Sequence, residues 1–329
     1  MITVFSSRGG QIKKIALGPD DPIPSDAVWI DLFDPDPAER ALVERNIGSA
    51  LPTRDEMKEI EPSSRLYTKD GVHVVTATAL VNAEGPDPSG APITVLLTRD
   101  RLVTIHYVEL KGIGICADRI ARSGTMVADA VLLVLLEAFV DRIADILEVT
   151  SADLDEVSKR IFVSSKPKAG QRRPDRPDLQ AALVRLGRND DVLSTARESL
   201  LSFNRVVRFV DPVLEERAGT ALRDVRDRLH LLRQDILSLA EHASFESSKI
   251  SFLLTASLGL INMEQNNIIK IFSIVAVVLL PPTLVATIYG MNFQHMPELS
   301  WRLGYPMSIV LMILSAILPY LYFRYRHWL

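Results

Sequence analysis

Cysteine is almost absent from this chain of 329 residues, which contains only Cys116. A single cysteine cannot close an intrachain disulfide, nor can it supply a zinc site with several thiolates. We therefore expect Cys116 to be an ordinary core residue. The first 14 residues also lack the apolar core of a secretory signal, which is typical of a first domain that stays inside the cell.

Motifs for nucleotide hydrolysis and proteolysis are missing as well. The sequence contains neither GxxxxGK[ST], which cradles phosphates, nor HExxH, which binds zinc in proteases. Its six histidines are scattered without the spacing of metal ligands. We predict that the chain is not an enzyme and needs no cofactor. Residues 1–270 contain 40 of the 41 acidic and 34 of the 37 basic residues, and an acidic body of this kind below a basic collar argues against nucleic acid as a partner.

Charged residues are missing from two long stretches near the C-terminus, Ile271–Pro297 and Leu303–Phe323. A helix rises about 1.5 Å per residue, so each stretch can cross the roughly 30 Å hydrocarbon core of a bilayer. We predict transmembrane helices at 270–290 and 306–324. A buried hairpin of a soluble protein is the less favoured alternative.

The basic residues that flank these spans indicate their orientation, because Lys and Arg accumulate on the cytoplasmic side. Lys270 precedes the first span, and Arg324 and Arg326 follow the second, whereas the loop 291–305 contains a single arginine. This pattern predicts a multi-pass protein of the inner (plasma) membrane, with a loop outside. Both termini, including the basic tail 325–329, are expected in the cytoplasm.

Residues 1–125 are predicted to form a cytoplasmic α/β domain. Six short runs rich in β-branched and aromatic residues indicate strands of a mixed sheet. These runs are Ile2–Phe5, Gln11–Leu17, Val28–Leu32, Val72–Leu80, Ile93–Thr98 and Leu102–Tyr107. Asp36 is a helix cap, with Glu39 three residues later. Asp31, Asp34 and Asp36 could be mistaken for a metal cluster, but turn formation and capping explain them more simply.

Helical periodicity replaces alternation after residue 125. We predict a cytoplasmic helical hairpin over 126–211, whose basic, exposed turn is the segment 164–178. A stalk helix over 212–269, beginning at Pro212 or Ala218, is predicted to continue into the first span. The predicted fold class is therefore an α+β domain followed by a very long helix and two transmembrane helices.

One face of the first predicted span consists mostly of small or hydroxylated residues. At helical spacing it contains Asn266, Ile269, Ser273, Ala276, Leu280, Thr283, Thr287 and Gly290. Close helix packing explains such a stripe equally well, but the amides of Asn266 and Asn292 at its two ends favour a pore wall. Pro281 and Pro282 free backbone carbonyls, which a cavity or neighbouring helices must satisfy. One copy cannot enclose a pore, so several subunits are expected to associate.

No carboxylate lies on this face, which indicates that the ion passes with its water shell intact. Mg²⁺ gives up its waters reluctantly, and a dehydrated divalent ion would need charged oxygens instead. Amide and carbonyl oxygens can bind the outer water shell of an intact hexahydrate. We predict that Asn292 side chains and Gly290 carbonyls form a filter for hydrated Mg²⁺. A filter for a bare monovalent ion is less favoured, because each chain offers few sites.

Several C-terminal segments together form a known pattern. They are INMEQNNIIKIF, LLPPTLVATIYGMNF, MPELSW and PYLYFRYRHWL, and the combination of GMN with MPEL is specific. Weaker similarity extends to the N-terminus, including Trp29–Leu32. With these segments the sequence resembles the CorA family of magnesium and cobalt transporters, and is especially similar to its proteobacterial branch.

The resemblance implies a funnel-shaped homopentamer whose first spans line a central pore. The implied pore residues, from the outside inward, are Asn292, Met291, Gly290, Thr287, Thr283, Leu280, Phe272 and Asn266. Helical spacing favours Ser273 over Phe272 at the inner end. Lys270, Arg324 and Arg326 correspond to a basic collar at the inner mouth, and Glu298 belongs to the outer loop.

The predicted function is passive uptake of hydrated Mg²⁺, and also of Co²⁺ or Ni²⁺, driven by the membrane potential. A divalent ion that enters a cell gains about 4.6 kcal/mol per 100 mV. The resemblance implies gating by cytoplasmic Mg²⁺ bound between subunits, for which Asp224 with Glu84 or Asp87 are candidates. One alternative is a zinc transporter of the same architecture, against which Met291 argues. The other is a membrane-tethered assembly or sensing protein that conducts nothing.

Overall fold

A computed structural model describes the whole chain except residues 9–10, 19–20, 124–126, 164–178, 218–221, 292–296, 298–300 and 327–329. The strands are β1 (Ile2–Arg8), β2 (Gln11–Leu17), β3 (Ala27–Phe33), β4 (Leu66–Lys69), β5 (Val72–Val81), β6 (Ser89–Leu97) and β7 (Leu102–His106). The helices are α1 (Pro37–Ile47), α2 (Pro62–Arg65), α3 (Lys111–Ser123), α4 (Ala128–Val163), α5 (Leu179–Arg217), α6 (Leu222–Tyr289) and α7 (Gly304–Tyr325).

The seven strands form one mixed sheet in the order β2-β1-β3-β7-β6-β5-β4. Strands β3 and β7 pair in parallel, and all other neighbours are antiparallel. The mixed sheet and its six predicted strands are confirmed. The sequence analysis missed β4, a four-residue edge strand whose residues are exposed or half-buried.

One face of the sheet packs against α1 in an apolar core that includes Ile30, Leu32, Val43 and Ile105. The predicted cap of α1 is confirmed, because the Asp36 carboxylate accepts from the Glu39 amide at 2.8 Å. In return the Glu39 carboxylate accepts from the Asp36 amide at 3.0 Å, so both ends of this capping box are satisfied.

The prediction of a turn or cap is wrong for Asp31. Asp34 does occupy the left-handed region with φ 42°, as turn residues do, but Asp31 lies buried within β3. Its carboxylate accepts a hydrogen bond from the Thr104 hydroxyl at 2.5 Å and lies 3.1 Å from Nε2 of His106. Buried carboxylates require such partners. Asp31 therefore has a structural role as a hydrogen-bond acceptor in the interior of the sheet.

His106 links this carboxylate to the main chain. Its Nδ1 lies 2.8 Å from the Val108 carbonyl, so both ring nitrogens face acceptors, which favours the doubly protonated ring. Burial opposes the charge, but the hydrogen bond and the negative charge of Asp31 raise the pKa of His106. Cys116 is fully buried on α3, as predicted, and burial raises the pKa of its thiol, so it stays neutral.

Helices α4 and α5 pack against each other and against the sheet, and α6 is joined to them by polar contacts. Arg228 of α6 donates two hydrogen bonds to Glu137 of α4, at 3.0 and 2.9 Å. The predicted beginning of the long helix at Pro212 is wrong, because Pro212 lies inside α5 and α6 begins at Leu222. The segment 164–178 lies outside the described residues.

Contacts divide the chain into two compact units, Met1–Leu254 and Thr255–Leu329. The first unit contains the sheet and the helices that cover it. The second contains the C-terminal part of α6 and all of α7. Both of these helices include stretches long and apolar enough to span a membrane, at the two places where the sequence predicts spans.

Candidate functional site

The predicted pore residues of α6 are exposed in the single chain. Leu280 has 65% of its surface exposed and Phe272 has 71%. The other exposed members are Asn266, Ser273, Ala276, Thr283, Thr287 and Gly290. Met291 is 45% exposed, whereas Asn292 and Glu298 lie outside the described residues. The choice between Phe272 and Ser273 stays open, because both are exposed.

A different line of α6 is covered. At spacings of three and four residues, exposure falls to intermediate values at Ile274, Val278, Pro281, Pro282, Val285 and Tyr289. Helical geometry places Val278 about 200° around the axis from Leu280. Packing within this chain therefore covers a face other than the predicted pore stripe.

Helix α7 has a covered line that begins with two small residues, Gly304 and Ser308, and that was not predicted from the sequence. Gly304 and Ser308 are buried, and Met312, Ser315 and Pro319 are half-buried. Small residues at a spacing of four let membrane helices approach closely, so the spacing itself was the available signal. Within the chain, close packing belongs to this line of α7 rather than to the stripe of α6.

Two hydroxyls of the stripe donate to their own helix. Thr287 Oγ1 donates to the Thr283 carbonyl, and Thr283 Oγ1 donates to the Leu279 carbonyl, each at 2.7 Å. A hydroxyl whose proton is used in this way offers only lone pairs on its outer side. The water molecules around a hydrated cation present hydrogens outward, so acceptors of this kind suit such an ion.

Helix α6 ends immediately before Gly290, whose amide donates to the Ala286 carbonyl at 2.9 Å. A Cβ at Gly290 would lie 3.1 Å from that carbonyl oxygen, so a larger residue requires the backbone to shift. The last carbonyls of a helix lack intrahelical donors and carry the negative end of its dipole. This end of α6 therefore favours a cation.

Lys270, Arg324 and Arg326 are exposed in the second unit. The Arg326 guanidinium lies 6.0 Å from the centre of the Tyr322 ring, and aromatic rings of this kind attract cations. These positions leave the basic side chains free to face solvent or lipid headgroups, but they do not test the predicted collar.

The predicted regulatory carboxylates lie apart in different elements of the first unit. Glu84 and Asp87 are exposed in the loop between β5 and β6, and Asp224 is exposed in the first turn of α6. Hydrogen bonds from Lys111 and Arg142 lower the pKa of Glu84. Among the described residues of one chain, no group of three or more His, Cys, Asp and Glu could hold a metal ion.

Comparison with known sequences decides the family. The family described as CorA-like Mg²⁺ transporter protein matches residues 24–325. The chain belongs to this family. CorA-like proteins are transporters rather than enzymes, in agreement with the prediction from the missing motifs.

Individual relatives extend over the whole chain. The magnesium transport protein CorA of Escherichia coli K12 is 37% identical over 335 residues, which cover 100% of both chains. Its source confirms the predicted similarity to the proteobacterial branch. The complete structure of the CorA magnesium transporter from Methanocaldococcus jannaschii superposes with a TM-score of 0.72 at 19% identity, covering 100% of this chain and 99% of the other.

The fold is shared with a protein of another name. The ZntB cytoplasmic domain from Vibrio parahaemolyticus has a TM-score of 0.56 at 11% identity, covering 80% of this chain and 98% of that one. At this level of identity the likeness shows the fold alone.

Proposed function

We propose that this chain mediates passive uptake of hydrated Mg²⁺ through a membrane pore formed by several copies, five by resemblance to its family. The observation that carries the proposal is the exposed stripe of α6. Its small and hydroxylated residues lack cover within the chain, while a different line of the same helix is covered. Neighbouring copies that meet at this stripe would enclose a pore lined by hydroxyl and amide oxygens.

The chemistry of the stripe suits an ion that keeps its water. Thr283 and Thr287 present lone pairs, and the end of α6 at Gly290 presents carbonyl oxygens. Asn292 follows in the sequence and adds an amide oxygen for each copy. Such neutral acceptors can accept hydrogen bonds from the six water molecules around Mg²⁺ without replacing them. This matches the reluctance of Mg²⁺ to dehydrate. Hydrated Co²⁺ and Ni²⁺ should pass by the same contacts.

The orientation follows from the basic residues at the inner ends of the spans. With Lys270, Arg324 and Arg326 in the cytoplasm, the loop 291–305 faces outside and both termini face inside. The membrane potential then drives a divalent ion inward by about 4.6 kcal/mol per 100 mV. No chemical energy source is required for uptake.

Gating by cytoplasmic Mg²⁺ is proposed to use carboxylates shared between copies. Asp224 and Asp87 are exposed and can each contribute to such a site. Glu84 is the weaker candidate of the three, because a cation that binds its carboxylate has to displace both Lys111 and Arg142. A Mg²⁺ ion bound between copies would hold the closed arrangement until the cytoplasmic concentration falls.

The test compares Mg²⁺ influx into liposomes that contain wild type, Asn292→Ala or Asn267→Ala, with a Mg²⁺-sensitive dye inside and an inward-negative potential. Asn267 is exposed and lies about 100° around α6 from Asn266, so it is a control off the stripe. We expect Asn292→Ala to abolish influx and Asn267→Ala to retain it. Hexaamminecobalt(III), a mimic of the hydrated ion, should block the wild type.

The oligomeric state of each variant is measured in the same preparation by size-exclusion chromatography with light scattering. Absence of wild-type Mg²⁺ influx from an intact oligomer would contradict the proposal. Zn²⁺ influx under those conditions would favour the zinc transporter, and absence of any flux would favour a non-conducting sensor.

A further inference from the structure

Three cationic side chains from three helices meet at Glu84, in the loop between β5 and β6. Lys111 Nζ, at the first residue of α3, lies 3.0 and 3.1 Å from the two carboxylate oxygens of Glu84. Arg142 of α4 donates to the same carboxylate. Arg188 of α5 donates to the Glu84 main-chain carbonyl at 2.8 Å. This convergence brings the cationic groups to one point on the surface of the first unit.

Two cavities open beside this point. One, the α3 cavity, has a volume of about 360 Å³ and is lined also by Phe139 and Ile143. The other, the α5 cavity, has a volume of about 370 Å³ and is lined also by Val149 and Val192. Glu84 lines both cavities, as do Ala83, Arg142 and Ile146. The α5 cavity is lined mostly by polar and charged residues, with Ala83, Ile146, Val149 and Val192 as its apolar part. Concave sites of this size that combine an apolar surface with converging polar groups are typical of small-molecule sites.

The cations fit a phosphate group better than they fit the carboxylate. The Glu84 side chain is 70% exposed, so its ion pairs hold it only weakly and an incoming anion can displace it. A phosphate offers three oxygens and more negative charge, which suits both the guanidinium fork of Arg142 and the ammonium of Lys111. Arg188 donates its described hydrogen bond to a neutral carbonyl, and its charge already acts on Asp153, so a phosphate would add a hydrogen-bonded anion to that longer-range interaction.

Other acidic residues limit how tightly an anion can bind. Asp153, which lines the α5 cavity, already accepts hydrogen bonds from Arg185 and from Asn189, the latter at 2.7 Å. Asp145 and Glu109 also line the cavities and repel an anion. Binding should therefore weaken as salt screens the cations.

We propose that this point binds a small phosphorylated molecule of the nucleoside phosphate class. Its phosphate would replace the Glu84 carboxylate on Lys111, Arg142 and Arg188. Its ring would lie on the apolar residues of the α5 cavity, where Val149 is 71% exposed. The site lies in the first unit and does not depend on the proposed pore, but it includes Glu84, the weakest of the three proposed gating carboxylates.

The experiment measures binding of ADP and of inorganic phosphate to the purified full-length protein in Mg²⁺-free buffer, by isothermal titration calorimetry. Arg142→Gln, Arg188→Gln and Lys111→Gln should each weaken ADP binding by about tenfold or more, because each removes a charge-assisted hydrogen bond. Glu84→Gln should strengthen it by about threefold, because it removes the competing carboxylate. Circular dichroism checks that each variant remains folded.

Arg119→Gln is the matched control. Arg119 of α3 pairs with Asp141 of α4 at 2.7 Å, so it joins the helices that carry Lys111 and Arg142 but lines neither cavity. The affinity of the Arg119→Gln variant for ADP should equal that of the wild type. The proposal is overturned if neither probe binds saturably, if Glu84→Gln weakens binding, or if Arg119→Gln loses as much affinity as Arg142→Gln. Equal affinities for ADP and phosphate would overturn the placement of a ring in the α5 cavity.

Discussion

A buried group of polar side chains in the first unit is paired within the chain, whereas the polar stripe of α6 in the second unit is exposed. In the first unit Trp29 donates to Thr104 at 3.0 Å, Thr104 donates to Asp31, and Asp31 pairs with His106, all of them buried. In the second unit the stripe of α6 remains exposed from Asn266 to Gly290. The difference indicates that one copy pairs this buried group in the first unit but leaves the polar stripe of the second uncovered.

The largest expected effect is that of Gly290→Ala on transport. The added Cβ would lie 3.1 Å from the Ala286 carbonyl oxygen, which forces a shift of the backbone at the predicted filter. We expect Mg²⁺ influx into liposomes to be abolished while the oligomer stays intact. The control is Gly259→Ala, also in α6, where a Cβ would meet nothing within 4 Å. Equal loss of influx in both variants would mean that the effect is not specific to the filter.

The second effect tests whether the stability of the first unit depends on the buried pair of Asp31 and His106. Asp31→Ala leaves the buried His106 ring and the Thr104 hydroxyl without their acceptor. We expect the free energy of unfolding to fall by about 3 kcal/mol, and the midpoint of thermal unfolding of the full-length protein to fall by roughly 6–12 °C. Tryptophan fluorescence reports this midpoint, because Trp29 is buried beside the pair.

Asp31→Asn is the matched variant, because its amide can still accept from Thr104 and contact His106. Its loss should be less than half that of Asp31→Ala. A midpoint within 1 °C of the wild type for Asp31→Ala would contradict a stabilising role for the buried pair.

Local patterns predicted much of this architecture, but contacts between distant residues were not predictable from them. Alternation indicated six strands, and the spacing of Asp36 and Glu39 indicated the cap of α1. The pairing of Asp31 with His106 joins residues 75 positions apart and exists because β3 and β7 are parallel neighbours. Sequence spacing contains no sign of that adjacency.

Helix α3 was missed for a different reason. Gly112 and Gly114 lie in its first turn and lower the helical propensity of the segment. The structure explains the first of them, since a Cβ at Gly112 would lie 2.6 Å from the Phe139 ring. Close packing against α4 therefore overrides propensity. In the second unit, two long stretches without charged residues predicted the spans. Only the structure separates the covered line of α6 from its exposed stripe.

The third effect tests whether the stripe of α6 acts through acceptor oxygens. Thr287→Val keeps the shape of the side chain but removes the hydroxyl oxygen, whose proton is donated to the Thr283 carbonyl and whose lone pairs are available on its outer side. We expect Mg²⁺ influx to fall by about threefold to tenfold, which corresponds to the net loss of about one hydrogen bond to the hydrated ion. Ser315→Ala removes a similar hydroxyl, bonded to the Met312 carbonyl at 2.8 Å, from the covered line of α7. It should leave influx unchanged, and a fall as large as that of Thr287→Val would contradict a pore role for the stripe.

The smallest effect is a pH dependence that the buried pair adds to the first unit. The folded pKa of His106 is raised above its ordinary value near 6.5, so folding binds a proton. Its contribution to stability is complete below about pH 6.5 and is lost as pH rises through the folded pKa. The slope is at most about 1.4 kcal/mol per pH unit. His73 acts in the opposite direction, because burial lowers its pKa. The Cys116 thiol stays neutral in the folded protein but begins to ionise in the unfolded chain near the top of this range, so its slope has the same sign as that of His106. Both contributions are shared by the two proteins and cancel in their difference. The measurement is therefore the difference between the unfolding midpoints of wild type and Asp31→Asn from pH 5.5 to 8.5. We expect the advantage of the wild type to shrink as pH rises, whereas a constant difference would mean that His106 is not charged in the folded protein.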